Sequence, residues 1–298
     1  MLQEISNFQK KQARMKRLSL AVVVIAAFIF FSCNDNGSNS GKTADSTSMA
    51  QDSSKKVSLK EESVNVSSDT TNMQCFIAYD ENKTGSRPIV LVIPEWWGVS
   101  DFVKNKAREL AQLGYFAFVV DMYGNGKTAD NPDAAMAAAT PFYKNPQMAT
   151  GRIQAALTKA KSYYQADSSK SAAIGFCFGG TMVLNAAKLG LPLDGVVSFH
   201  GGLQGVAPKK NTVKSKILVL NGEADPFVPR KDVDAFKKQL DAAGVPYTFK
   251  DYPNAVHAFT NPNANEYAAK FKMPVGYNEQ AATQSWDEMK SFFANLWP

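Results

Sequence analysis

Three residue types in this sequence can together cleave an acyl bond: a cysteine on a sharp turn, a histidine and an aspartate. Cys177 lies in Gly175-Phe176-Cys177-Phe178-Gly179-Gly180, a glycine-x-nucleophile-x-glycine pattern with cysteine in the place more often held by serine. Such spacing fits a strand-to-helix elbow. The nucleophile's backbone is strained there, and any side chain at the flanking glycines would meet the neighbouring strand and helix. A thiol also needs a base, and the chain has two histidines, His200 and His257. His257 follows both the cysteine turn and Asp225, which sits in Gly222-Glu223-Ala224-Asp225-Pro226. The order nucleophile, acid, histidine is one in which such triads recur. His200 heads a Gly-Gly turn and is the alternative base, or else a hydrogen-bonded loop histidine beside the pocket. Asp225 has a plainer reading too, as an Asx-turn residue ahead of Pro226. Two histidines without metal-ligand spacing do not make a zinc site, and acyl transfer by a thiol calls for no organic cofactor.

A further candidate is Glu95, in Ile93-Pro94-Glu95-Trp96-Trp97-Gly98 directly behind an apolar run. A carboxylate buried there without a partner is costly. Cys177 is the partner that the sequence offers.

These residues need a scaffold that brings them to one edge. Short apolar runs at 89–93, 115–120, 172–176, 195–199 and 217–220 read as buried strands of a parallel sheet. Helix-period segments alternate with them. One runs from Ser100 as N-cap through Ala107, Leu110 and Ala111 to Gly114, and another carries Val233, Phe236 and Leu240 up to Gly244. A last helix aligns Trp286, Met289, Phe293 and Leu296, a core-packing stripe. Ahead of the parallel strands, Val64 and Val66 with residues 75–79 flank a polar stretch and suggest a β-hairpin. The fold class is therefore α/β, with a mostly parallel sheet, an N-terminal hairpin and helices on both faces. In such sheets ligands bind beyond the carboxyl ends of the strands, where Glu95, Cys177 and Asp225 all fall.

The chain has 298 residues, is 45% hydrophobic and carries a formal charge of +6, which raises the possibility of nucleic-acid binding. The position of the charge argues against it. Lys10, Lys11, Arg14, Lys16 and Arg17 against Glu4 give residues 1–32 a net +4, leaving +2 for everything after. This basic cluster runs into fourteen uncharged residues, 18–31, and then Ser32-Cys33, the layout of a secretory signal. Fourteen helical residues rise about 21 Å, short of the roughly 30 Å hydrocarbon core. Phe30-Phe31-Ser32-Cys33 resembles a lipobox, which implies acylation of Cys33 and an exported, membrane-anchored lipoprotein on the periplasmic or cell-surface side. Met15 is an alternative start to Met1. Residues 33–61, rich in Ser, Asn and Asp, read as a flexible tether, and 62–298 as one catalytic domain. With Cys33 acylated, Cys75 and Cys177 remain, and the turn around Cys177 favours a free thiol over a bridge.

The Gly-Phe-Cys-Phe-Gly-Gly turn, the Pro-Glu-Trp-Trp-Gly turn, the Gly-Glu-x-Asp loop and the His-Ala-Phe loop together resemble the dienelactone hydrolase family. The resemblance covers residues 62–298 and implies the α/β-hydrolase fold. It also implies a Cys177-His257-Asp225 triad, a Glu95 that contacts the resting thiol and assists its activation, and an oxyanion hole from the backbone N–H groups of Trp96 and Phe178. Two positions depart from the family, whose lactone-cleaving members hold the substrate carboxylate with two arginines. The corresponding stretches here carry Asn125 and Asn261. Losing two charge-assisted contacts points to a neutral or weakly polar ester or lactone, with Lys127 left as a partial substitute. Trp97, Tyr123, Phe259, Asn125, Asn261 and His200 are the expected pocket residues. Two rivals stand beside the esterase reading: a catalytically silent binding lipoprotein on the same scaffold, and a thioesterase or peptidase with the same triad.

Overall fold

A computed structural model describes residues 56–298; the signal segment, Cys33 and the tether up to residue 55 lie outside the described residues. Eight strands form one sheet: β1 (Leu59–Ser68), β2 (Thr71–Asp80), β3 (Arg87–Ile93), β4 (Phe116–Val119), β5 (Ala166–Phe176), β6 (Gly195–Phe199), β7 (Lys216–Gly222) and β8 (Tyr247–Tyr252). Their spatial order is β1-β2-β4-β3-β5-β6-β7-β8. The β1–β2 and β2–β4 pairs are antiparallel and the rest are parallel. The expected hairpin is thus the antiparallel edge of a parallel sheet, and it begins at Leu59, ahead of the Glu62 boundary.

Among the described residues, seven helices flank the sheet: α1 (Asp101–Gln112), α2 (Pro132–Lys144), α3 (Pro146–Ala160), α4 (Phe178–Lys188), α5 (Arg230–Ala243), α6 (Ala264–Phe271) and α7 (Glu279–Leu296). The two faces of the sheet carry separate apolar layers. On one face Phe102, Val103 and Leu110 of α1 pack with Met289 and Phe293 of α7. On the other, Ile153 of α3, Met182 of α4 and Phe236 of α5 belong to a single cluster. All residues of β4 and β6 are buried, as continuous apolar runs covered on both faces must be.

The α1 stop is a residue earlier than the glycine. Leu113 is the C-cap, and Gly114 takes φ +88° just after it. Gly244 is itself the left-handed cap of α5, the conformation that glycine adopts without a Cβ penalty. Four elements escape the sequence reading: α2, α3, α6 and β8. The first has an alanine-rich stretch with Pro141 inside it. The last alternates half-buried and exposed positions up to a buried Tyr252, an edge strand without the continuous apolar run that marks its neighbours.

Candidate active site

Loops at the carboxyl ends of β3, β5, β6 and β7, together with the loop after β8, converge above the sheet. Cys177 joins β5 to α4 with φ +53° and ψ −113°, a backbone that a non-glycine residue holds only under tertiary constraint. Its N–H donates to the Phe199 carbonyl oxygen at 3.0 Å and to His200 Nδ1 at 3.1 Å. A Cβ on Gly179 would collide with the Ile93 carbonyl, and one on Gly175 with the Gly179 backbone. The glycine spacing is therefore the steric condition for packing β5 and α4 against β3.

His257 Nε2 lies 3.0 Å from Cys177 Sγ, and His257 Nδ1 lies 2.7 Å from Asp225 Oδ2. Burial opposes a charge on His257. The Asp225 carboxylate and the Cys177 sulfur, as charges and as hydrogen-bond partners, outweigh it and hold the imidazole pKa well above its ordinary value. The arrangement favours the charged imidazolium at His257. Asp225 Oδ1 meanwhile accepts from the Phe227 N–H at 2.8 Å. One Asp225 oxygen thus makes the Asx-turn contact and the other faces His257.

His200 does not face the sulfur as a base. Its Nδ1 accepts from the Cys177 N–H, its Nε2 pairs with Thr260 Oγ1 at 2.8 Å, and it has no solvent exposure. Burial, and then the nearby His257, push its pKa well below the ordinary value. A neutral ring with Nδ1 as acceptor follows from these bonds, and it braces the elbow.

Glu95 departs from the expected contact with the thiol. No hydrogen bond joins it to Cys177, because the sulfur's partner is His257 and Glu95 Oε2 accepts instead from Asn261 Nδ2 at 2.7 Å. Burial raises the Glu95 pKa to about 7, while Asn261 and His257 restrain the rise. Asn261 is 1% exposed and its Oδ1 accepts from the Asn263 N–H. It therefore ties Glu95 to the start of α6 and does not line the pocket.

The cavity at Sγ encloses about 400 Å³ of empty space including its open mouth, but has room for little more than a single water molecule. Glu95, Trp96, Trp97 and His257 border it beside the sulfur. Of the other expected pocket residues, Tyr123 lies behind this wall, donating from its hydroxyl to the Trp96 carbonyl at 2.8 Å with its ring 5.8 Å from that of Phe178. Phe259 is fully buried in the opposite apolar layer. Asn125 is exposed at φ +56°, in a loop that the Asp121 carboxylate organises through the N–H groups of Tyr123, Gly124 and Gly126. Lys127 is exposed as well and does not reach the cavity.

The remaining wall comes from Phe227, Ala258, Tyr267, Met273 and Val275. Two of these, Phe227 and Ala258, sit beside Asp225 and His257 in the chain and were within reach of the sequence. The other three depend on α6 and the segment after it, which no motif marks. The backbone N–H groups of Trp96 and Phe178 donate to no described residue and flank the cysteine in the chain and at the end of β3. Cys75 is a free, buried thiol whose pKa burial pushes up to about 12, which makes it inert. Among the described residues no cluster of His, Cys, Asp and Glu could hold a metal ion.

The fold and the cysteine elbow define an α/β-hydrolase. The family model of the dienelactone hydrolase family matches residues 73–297, and the chain belongs to that family. It is similar to the "Putative carboxymethylenebutenolidase" of Aquifex aeolicus, at 30% identity over 211 residues covering 69% of this chain and 87% of that one. A protein of the same name from Methylorubrum extorquens is 28% identical over 221 residues, 70% of this chain and 72% of its own length. The solved structure of a dienelactone hydrolase-like promiscuous phosphotriesterase from metagenomic libraries superposes with a TM-score of 0.73 at 32% identity, covering 80% of this chain and 98% of that one. The protein is accordingly an ester-bond hydrolase of the dienelactone hydrolase type, acting on a small-molecule ester or lactone.

Proposed function

We propose that the protein hydrolyses a neutral or weakly polar carboxylic ester or lactone through a Cys177-His257-Asp225 triad. The observation that carries this reading is the unbroken Sγ···Nε2 and Nδ1···Oδ2 chain of 3.0 and 2.7 Å. The Cys177 thiolate attacks the carbonyl carbon, and the oxyanion takes the free N–H groups of Trp96 and Phe178 as donors. Collapse breaks the bond to the alkoxide, which leaves with the proton of His257 Nε2. Water then attacks the thioester while His257 accepts its proton, the carboxylic acid departs, and the thiolate-imidazolium pair is restored. Asp225 fixes the imidazole orientation and supports its charge.

Glu95 neighbours this chain without a hydrogen bond to it, its Oε2 accepting from Asn261 Nδ2. No lysine or arginine borders the cavity, which supports an uncharged substrate over an anionic lactone whose carboxylate such a side chain would pair. The test is a p-nitrophenyl acetate assay with Cys177→Ala, for which we expect kcat to fall at least about 10³-fold. Retained turnover would refute the triad. Faster cleavage of a cis-dienelactone than of an uncharged lactone would refute the substrate class.

We also propose that Cys33 is acylated after signal cleavage and that the enzyme is exported and held at a membrane. The motivation is the basic, apolar and Ser-Cys succession of residues 10–33. The mass of the mature N-terminal residue tests this directly.

A further inference from the structure

The cavity beside Cys177 Sγ has room for little more than a single water molecule, and Cys177 and His257 are 5% and 4% exposed, so an ester carbonyl reaches the sulfur only if a wall of the cavity yields. The wall formed by Trp97 and Tyr267 is one ring thick, with the two ring centroids 4.9 Å apart. The same two side chains border a second, wider groove on their far side, of about 1000 Å³ including its open mouth. Phe102 and Phe271 add to its aromatic lining, and Asp101, Asp130 and Lys270 stand at it as charges.

Among the helices of the described residues, the one that carries Tyr267 and Phe271 buries the fewest side chains. Ala264 is the one buried side chain of α6. Its start is held by the Asn263 N–H to Asn261 Oδ1 bond, and its ring contacts run to Trp97, at 4.9 Å from Tyr267 and 5.9 Å from Phe271. A helix seated on side-chain rings moves at less cost than one seated in a core. Movement of Tyr267 would make the groove and the cavity continuous.

We propose that this groove is the binding site for the longer, aryl-bearing arm of the substrate, with α6 opening at Tyr267 to pass the ester carbonyl to Cys177. Aromatic walls suit a flat apolar arm, and two carboxylates against one ammonium disfavour an anionic one. The inference deepens the ester-hydrolase reading and rests on it.

The test compares ethyl acetate with ethyl 4-phenylbutyrate and 3-phenylpropyl acetate, which lengthen the acyl and the alcohol arm respectively. The wild type is expected to prefer at least one arylalkyl ester by about tenfold or more in kcat/KM, as expected for burial of a phenyl-bearing arm. Thr128→Trp, on an exposed groove residue outside the cavity, should abolish that preference while leaving ethyl acetate within about twofold. Lys270→Trp tests the same point from α6, should Thr128→Trp fold poorly. No arylalkyl preference in the wild type, a preference unchanged in both variants, or an equal fall on all three esters would overturn the groove assignment. Failure of the underlying reading looks different: ethyl acetate turnover would then survive Cys177→Ala.

Discussion

A carboxyl group that is 2% exposed, with one amide donor and a cationic ring nearby, holds its proton to higher pH than it would in water. For Glu95 the value rises from 4.5 to about 7, chiefly through burial. The native state therefore binds more protons than the unfolded state between those limits, and stability falls as pH rises through that window. Glu95→Gln keeps the acceptor for Asn261 and removes the titration. We expect its stability relative to wild type to be greater at pH 8 than at pH 4 by on the order of 3 kcal/mol, read from urea unfolding at both pH values. An equal difference at the two would remove Glu95 as the titrating group. At this scale Cys177, Asp225 and His257 were legible because their motifs are local. The Asn261–Glu95 bond was not, since it joins residues 166 apart in the chain and depends on how two loops lie over the sheet.

The elbow is where element packing is least forgiving. A methyl group on Gly179 meets the backbone carbonyls of Ile93 and Pro94, which cannot turn away as a flexible side chain would. Gly151, inside α3, has nothing within 4 Å of where its Cβ would be. Denaturant unfolding should therefore give opposite signs for the same substitution: Gly179→Ala costs at least about 3 kcal/mol, and Gly151→Ala gains about 0.5 to 1 kcal/mol from helix propensity. A mild effect of Gly179→Ala would show that α4 can retreat from β3. The buried parallel strands were legible from continuous apolar runs, and the final helix from its stripe. The edge strand β8 and the short helix α6 were not, because neither carries a long run of buried side chains.

Across the whole molecule, the described residues close two apolar layers over one sheet without a disulfide, while most of the formal charge sits in residues 1–32. Deleting residues 1–55 should then leave the thermal midpoint and kcat/KM unchanged within about twofold, and should move the enzyme from the membrane to the soluble fraction. A large loss of stability would mean that the tether packs on the domain. From the sequence alone follow the fold class, the family and the three residues that stand hydrogen-bonded in a row, Cys177, His257 and Asp225, because strand runs and the cysteine elbow are short-range patterns with a steric cause. Only the tertiary structure decided what Glu95, Asn261, His200 and Phe259 touch, and that a single aromatic wall divides the cavity from the groove. Those outcomes depend on loops from separate strands meeting in space, and no spacing along the chain encodes that meeting.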